Sequence, residues 1–244
     1  TQYLNNVGGN QLRRVQFVNQ NIGWACGGNG TLIKTTNGGD TWTPMSTGST
    51  SYLTCIYFID ENTGWIGSQQ AVIKKTTNGG ISWYSAPIQT SDFSSDFFFL
   101  NGLTGFVTSH DSKIHKTTDG GQTWNLLIAS SNAYGQIQFF DANTGVVVAP
   151  SYFGKSVNGG ATWTRVLYDG VNQAMTFINP LTGWITGTGG IRKTTDGGDT
   201  WSSYALPIQT PYALKFFNAN VGWCAGSNGA NGIIARTLNG GVNW

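Results

Sequence analysis

A nine-residue phrase recurs six times along this chain: KTTNGGDTW (34–42), KTTNGGISW (75–83), KTTDGGQTW (116–124), KSVNGGATW (155–163), KTTDGGDTW (193–201) and RTLNGGVNW (236–244). Its closing tryptophans fall at 42, 83, 124, 163, 201 and 244. Self-similarity at a period of about 40 residues restricts a chain to a solenoid, a propeller or a linear array.

A second phrase precedes each box: FVNQNIGW (17–24), FIDENTGW (58–65), FLNGLTGF (99–106), FFDANTGV (139–146), FINPLTGW (177–184) and FFNANVGW (216–223). Each copy opens on Phe, carries Asn or Asp two residues later and has Gly in seventh place. Two positions before the Phe stand Val15, Ile56, Phe97, Ile137, Met175 and Leu214, all apolar. Alternation running into an Asn/Asp…Gly turn predicts a strand entering a hairpin.

One repeat then holds four strands, expected in the first copy at about 12–18, 23–28, 31–36 and 41–46. Four short strands in each period of about 40 residues, with no helical periodicity, predict an all-β propeller of four-stranded antiparallel blades. The expectation is six blades in one domain over 1–244, with both sheet faces covered and all ten tryptophans in the core. From a box Trp to the next leading Phe is 16, 16, 15, 14 and 15 residues. Thr1 placed after Trp244 would make that distance 17, so residues 1–7 are expected to complete the last blade and close the ring. Closure removes open sheet edges. A further blade beyond Trp244 is the alternative.

The box T-x-[DN]-G-G-x-T-W resembles the Asp-box, or BNR, repeat of sialidase, xyloglucan-degrading and sortilin-type propellers. Taken with the F-x-[DN]-x-x-x-G-W phrase, it is most similar to the photosystem II assembly-factor-like repeat of bacteria. The resemblance covers about residues 11–244 and implies a peripheral box hairpin with its Trp tucked beneath. It leaves function open, because one such fold hosts unrelated activities. Asn replaces Asp in four boxes, at Asn37, Asn78, Asn158 and Asn239, and only Asp119 and Asp196 keep a carboxylate. A calcium or catalytic role repeated in every box is not expected; the boxes are read as structural.

Composition removes several functions. Charged residues make up 10% of the chain, against about 25% in an average soluble protein. A hydroxyl-rich, charge-poor surface points to a secreted or cell-surface bacterial protein. A net charge of +2 with scattered Lys and Arg does not provide the basic face that nucleic acid requires. No run of about 18 apolar residues is present to span a membrane. The three cysteines have no zinc spacing. Cys26 and Cys224 lie on second strands of the first and last repeats; buried free thiols are expected there, a disulfide being the alternative.

Whatever the repeats do not share is left to carry a site. Strand order places the F-x-[DN] turns and the boxes on one rim, with Glu61 among them. The hairpins between second and third strands and the links between blades go to the other. Candidates for that opposite rim and the channel mouth are Arg14, Asp92, Phe93, Asp96, His110, Asp111, Tyr134, Tyr152, Phe153 and Asp169. Most belong to repeats 3 and 4. Asp92 and Asp96 fit paired glycosidase carboxylates, but a Ser/Asp loop and a polar channel residue are the preferred reading. His110 and Asp111 suggest a metal, yet a catalytic zinc usually takes three protein ligands. Five residues separate His110 from His115, which on a strand puts them on opposite faces. No metal and no cofactor are expected. Tyr152 and Phe153 suit either a sugar-stacking platform or a loop anchor. At one equivalent position the innermost strands carry Arg14, Cys55, Asp96, Gln136, Ala174 and Ala213.

A sialidase site, by resemblance, needs an arginine triad and a Tyr–Glu pair. The chain has five arginines, and its one glutamate sits on the box rim. The xyloglucan-degrading relatives set two propellers around a cleft. Photosystem assembly members resemble seven-bladed proteins with an arginine-rich patch. The expectation is therefore a non-catalytic extracellular binding or scaffold propeller, one part of a larger surface protein. It would meet a protein or glycan ligand on the rim opposite the boxes. A glycoside hydrolase and a photosystem II assembly-type factor are the alternatives.

Overall fold

The computed structural model describes residues 10–86, 88, 94–129, 135–150, 152–167, 174–187 and 190–244. The chain forms two compact units, Thr1–Ser130 and Ser131–Trp244, each with three boxes.

In the first unit, β1 (Leu12–Phe17), β2 (Gly23–Gly27), β3 (Leu32–Thr35) and β4 (Thr43–Met45) form one sheet. β5 (Leu53–Phe58), β6 (Gly64–Ser68), β7 (Ile73–Thr76) and β8 (Tyr84–Ala86) form the next. β9 (Ser94–Phe99), β10 (Gly105–Ser109), β11 (Lys113–Thr117) and β12 (Asn125–Ala129) form the third. The second unit holds β13 (Ile137–Phe139), β14 (Gly145–Ala149), β15 (Tyr152–Ser156) and β16 (Thr164–Leu167). There follow β17 (Ala174–Phe177), β18 (Gly183–Gly187), β19 (Gly190–Thr194) and β20 (Ser202–Tyr204). A three-stranded sheet of β21 (Thr210–Phe216), β22 (Gly222–Asn228) and β23 (Asn231–Thr237) ends the order. Every pairing is antiparallel between chain neighbours, as expected of six propeller blades. The strand expected from residues 1–7 for the last blade lies outside the described residues.

The F…G phrase has a steric cause. Phe58 and Gly64 face each other across the hairpin, and the Phe ring lies over the glycine. A Cβ on Gly64 would sit 2.5 Å from that ring, and one on Gly23 2.7 Å from Phe17. The Asn or Asp of the phrase folds the turn: Asn19 Oδ1 accepts from the amides of Asn21 and Ile22, each at 2.9 Å. Asp60 Oδ1 does the same for Asn62 and Thr63. This is an Asx turn.

The box is held by its own side chains. Thr35 is buried, and its hydroxyl accepts from the Gly39 amide at 2.9 Å while donating to Asn37 Oδ1 at 2.9 Å. Asn37 Oδ1 also takes the Thr41 amide at 2.9 Å, and the Trp42 indole donates to the Gly39 carbonyl at 3.0 Å. Gly38 and Gly39 have φ of 73° and 97°, and all six Gly-Gly pairs share this left-handed backbone, which costs other L-residues energy. Asn and Asp are interchangeable because the neighbouring hydroxyl works in both directions. Asn37 and Asn158 donate Nδ2–H to Thr41 and Thr162, whereas Thr123 and Thr200 donate to Asp119 and Asp196.

The core lies between sheets. Trp24 of β2 stacks on Phe58 of the next sheet, with ring centroids 3.6 Å apart, and Trp65 stacks likewise on Phe99 at 3.6 Å. Trp184 stacks on Phe216 at 3.7 Å. Gln16 bridges inner strands as a side-chain ladder, donating to the Phe58 carbonyl at 2.9 Å and accepting its amide at 2.6 Å. The expectation that all tryptophans are core needs correction. Trp42, Trp83, Trp163, Trp201 and Trp244 are only half-buried, since the box hairpin is peripheral, and Trp223 is exposed.

Candidate functional site: the rim opposite the boxes

The two rims are set by hydrogen bonds. Gly38 and Gly79 donate their amides to the carbonyls of Asn21 and Asn62 in the turn of the same repeat, at 2.9 and 2.8 Å. Boxes and F-x-[DN] turns thus share a rim, and Glu61 lies on it, accepting from Asn19 Nδ2 at 3.2 Å. The β2–β3, β6–β7 and β10–β11 hairpins point the other way. Each turns on a residue with left-handed backbone: Asn29 (φ 53°), Ala71 (φ 57°) and Ser112 (φ 68°).

On that opposite rim the link between successive sheets drops between two such hairpins and leaves a notch. In the first unit Gly30, residues 45–50 and Gln70 surround a space of about 570 Å³. Its floor is fixed: buried Thr47 donates to the Gly30 carbonyl at 3.3 Å, and Lys74 Nζ donates to the Thr47 carbonyl at 2.6 Å. Ser46 and Thr50 stand exposed at the lip. The equivalent notch in the second unit, about 430 Å³, lies among Gly190, residues 205–209 and Asn228. Asn228 ties it together, accepting the Gln209 amide at 2.6 Å and donating to the Pro207 carbonyl at 3.2 Å. Neither lining includes a carboxylate, imidazole or thiol among the described residues. The first notch offers hydroxyls, an amide and main-chain groups, and the second adds Leu206, Pro207 and Ile208. The chemistry available is hydrogen bonding and apolar contact.

Of the predicted site residues, Asp92, Phe93, Tyr134 and Asp169 lie outside the described residues. Tyr152 opens β15, and its side chain also lies outside them. Asp96 sits in β9 opposite Thr108, toward the end of the sheet that carries the β10–β11 hairpin. His110 is exposed on that hairpin. Asp111 accepts from Ser109 Oγ at 2.5 Å and pairs with Lys113 Nζ at 2.6 Å. His115 is buried in β11, away from His110. Arg14 lies partly buried on β1, and its Nε has no hydrogen-bond partner among the described residues. Gln136 is a strut, its Oε1 accepting the Met175 amide at 2.5 Å. Among the described residues no cluster of metal-ligating side chains forms, and no helix is long and apolar enough to cross a membrane.

Phe153 corrects the sequence reading. It is fully buried, stacking on Phe177 at 5.8 Å and meeting Trp201 edge-on at 5.2 Å. Repeat 4 carries Val146 where others carry Trp or Phe, and Phe153 from the adjacent strand fills the vacated space. It offers no platform to a sugar. The notch residues went unpredicted; the run TPMSTGSTS (43–51) after the first box was their one sequence signal.

Comparison with known proteins agrees with this fold. Residues 3–77 match the family model of the photosynthesis system II assembly factor YCF48. No characterised protein matches the chain by sequence. Among solved structures, YCF48 bound to a D1 peptide is similar, at 19% identity and TM-score 0.54, over 94% of this chain and 93% of that one. YCF48 from Cyanidioschyzon merolae gives 16% identity and TM-score 0.59, over 94% and 95%. The GH74 xyloglucanase from Xanthomonas campestris gives 13% identity and TM-score 0.76, over all of this chain and 46% of the enzyme. At these identities the structural likeness speaks to fold. The chain folds as a β-propeller, and its first third is similar in sequence to the photosystem II assembly factor YCF48.

Proposed function

We propose that the chain is a non-catalytic binding propeller that takes an extended polypeptide on the rim opposite its boxes. The observation that carries this reading is the hydroxyl-lined notch between Gly30, residues 45–50 and Gln70. Its donors and acceptors suit main-chain amides, and it holds no group suited to acid–base or nucleophilic work. The similar YCF48 structure with a bound D1 peptide supports a peptide as ligand. The low charged fraction of 10% supports a place outside the cell, secreted or on its surface.

Peptides selected from a display library against the purified chain test this directly. Thr50→Trp and Gln70→Trp, which fill the notch from exposed positions, should each weaken the selected peptides at least about tenfold, a loss of about 1.4 kcal/mol. Selected peptides that ignore both variants, or release of reducing sugar from a polysaccharide panel, would sink the proposal.

A photosystem II assembly role is the second reading. What favours it is the match at residues 3–77 and the near-complete mutual cover with YCF48. Titration with a D1 peptide separates the two readings, since a general binding module has no reason to prefer it over selected sequences.

A further inference from the structure

One register position on the third strands sets the second repeat apart. Ile33 faces Ala25 there, Lys74 faces Ile66, Gly154 faces Val147 and Ala235 faces Cys224. The lysine at the head of the box comes one residue later and belongs to the repeat. Lys34 and Lys75 lie over the Trp24 and Trp65 rings, 4.9 and 5.3 Å from their centroids. Lys74 is an additional lysine beside Lys75, and on a strand its side chain leaves by the other face.

From β7 that side chain reaches the link that follows the first sheet, where Nζ donates to the Thr47 carbonyl at 2.6 Å. A Cβ on Gly48 would lie 3.7 Å from the same nitrogen. The ammonium thus rests against the floor of the first notch. It carries three donors, and the Thr47 carbonyl is its one hydrogen-bond partner among the described residues. No described carboxylate pairs with it, and none lines the notch. Holding a link in place does not require a charge. At the second notch the matching register position holds Ala235, and the neutral Asn228 side chain ties the link through Gln209 and Pro207.

We propose that the first notch selects an acidic side chain of the bound polypeptide, with Lys74 as the residue that sets this preference. The inference rests on the reading of this rim as a polypeptide site and adds the chemistry of the residue it takes. The carboxylate receives a charge-assisted hydrogen bond from the Lys74 ammonium, of the stronger kind, and the hydroxyls of Ser46 and Thr50 at the lip offer further donors. The second notch, with alanine at the matching position and Leu206, Pro207 and Ile208 in its lining, makes no such demand.

The test starts from display-selected peptides that Thr50→Trp and Gln70→Trp weaken, each resynthesised with Gln for Glu and Asn for Asp. Calorimetric titration of the whole chain should show each acidic peptide binding at least about threefold tighter than its amide twin, as expected of a partly exposed ion pair. Added salt should narrow that gap. Lys74→Gln should abolish the gap while binding the amide twin as the unaltered chain does, and Lys74→Arg should keep it. Equal affinity of the twins, or a preference that survives Lys74→Gln, overturns the proposal and leaves the polypeptide reading standing. Loss of both twins in Lys74→Gln and in Lys74→Arg would mark the lysine as a strut and overturn it too. Peptides indifferent to Thr50→Trp and Gln70→Trp would instead remove the polypeptide reading itself, and the acidic preference with it.

Discussion

The ring of Phe58 lies across the α-carbon of Gly64, directly opposite it in the hairpin, leaving no room for a Cβ. Trp24 stacks on the other face of the same ring. One phenylalanine therefore fixes a hairpin and joins two sheets. Gly64→Ala should cost about 1–3 kcal/mol, the range for overpacking a well-filled site. Gly102→Ala, where a Cβ would meet Ile59 at an ordinary 3.5 Å, should be near neutral. Urea unfolding of both variants checks the difference; equal midpoints would refute the steric account.

The buried Thr76 hydroxyl accepts from the Gly80 amide at 3.0 Å and donates to Asn78 Oδ1 at 2.9 Å. Thr76→Val keeps the shape and strands a buried amide, at a cost of about 1–3 kcal/mol. Thr76→Ser should recover most of it, since Ser156 fills this place in the fourth box with the same bonds. A serine variant as unstable as the valine one would argue that the methyl matters instead.

Asp119 is drawn down from 3.8 to about 2, first by the Thr123 hydroxyl and then by the Thr123 amide. Asp196 is held below its usual value by Thr200 in the same way. A depressed carboxylate contributes stability that is complete above its ordinary value and disappears as pH falls toward the folded one. Melting temperature should therefore decline between pH 3.8 and about 2. Asp119→Asn, compatible with the Asn-type boxes, should leave neutral-pH stability within about 0.5 kcal/mol and flatten that decline. An unchanged acid slope in the variant would remove Asp119 as its source.

Burial pushes the Cys26 thiol up to about 12 and the Cys224 thiol to about 11, with Cys55 raised too. All three are free and buried. Thiolate is the reactive form, so a thiol reagent at neutral pH should label none of them until the fold opens. Labelling of the native chain at the rate of a free peptide cysteine would contradict the burial.

Ala71 holds φ at 57° on the notch rim, a conformation that costs a residue with a Cβ about 1–2 kcal/mol. Ala71→Gly should raise stability by somewhat less, about 0.5–1 kcal/mol, because glycine loses more entropy on folding. A lower unfolding midpoint would show that the methyl packs usefully.

The repeat determined by itself much of what was read from it. Strands expected at 12–18 and 23–28 appear as Leu12–Phe17 and Gly23–Gly27, and boxes and turns share a rim. These features were legible because their causes are local. Thr35, Asn37, Gly39 and Thr41 bond within one hairpin, and Phe58 meets Gly64 six residues on. Local contacts recur with the phrase that encodes them. What escaped depends on residues far apart in the chain. Phe153 was read as a possible platform and is core, because its burial rests on Val146, Phe177 and Trp201. The notch joins Gly30, residues 45–50 and Gln70, none distinctive alone. Sequence specified each blade through short-range sterics and hydrogen bonds; only tertiary packing decided which faces are covered and where the rim opens.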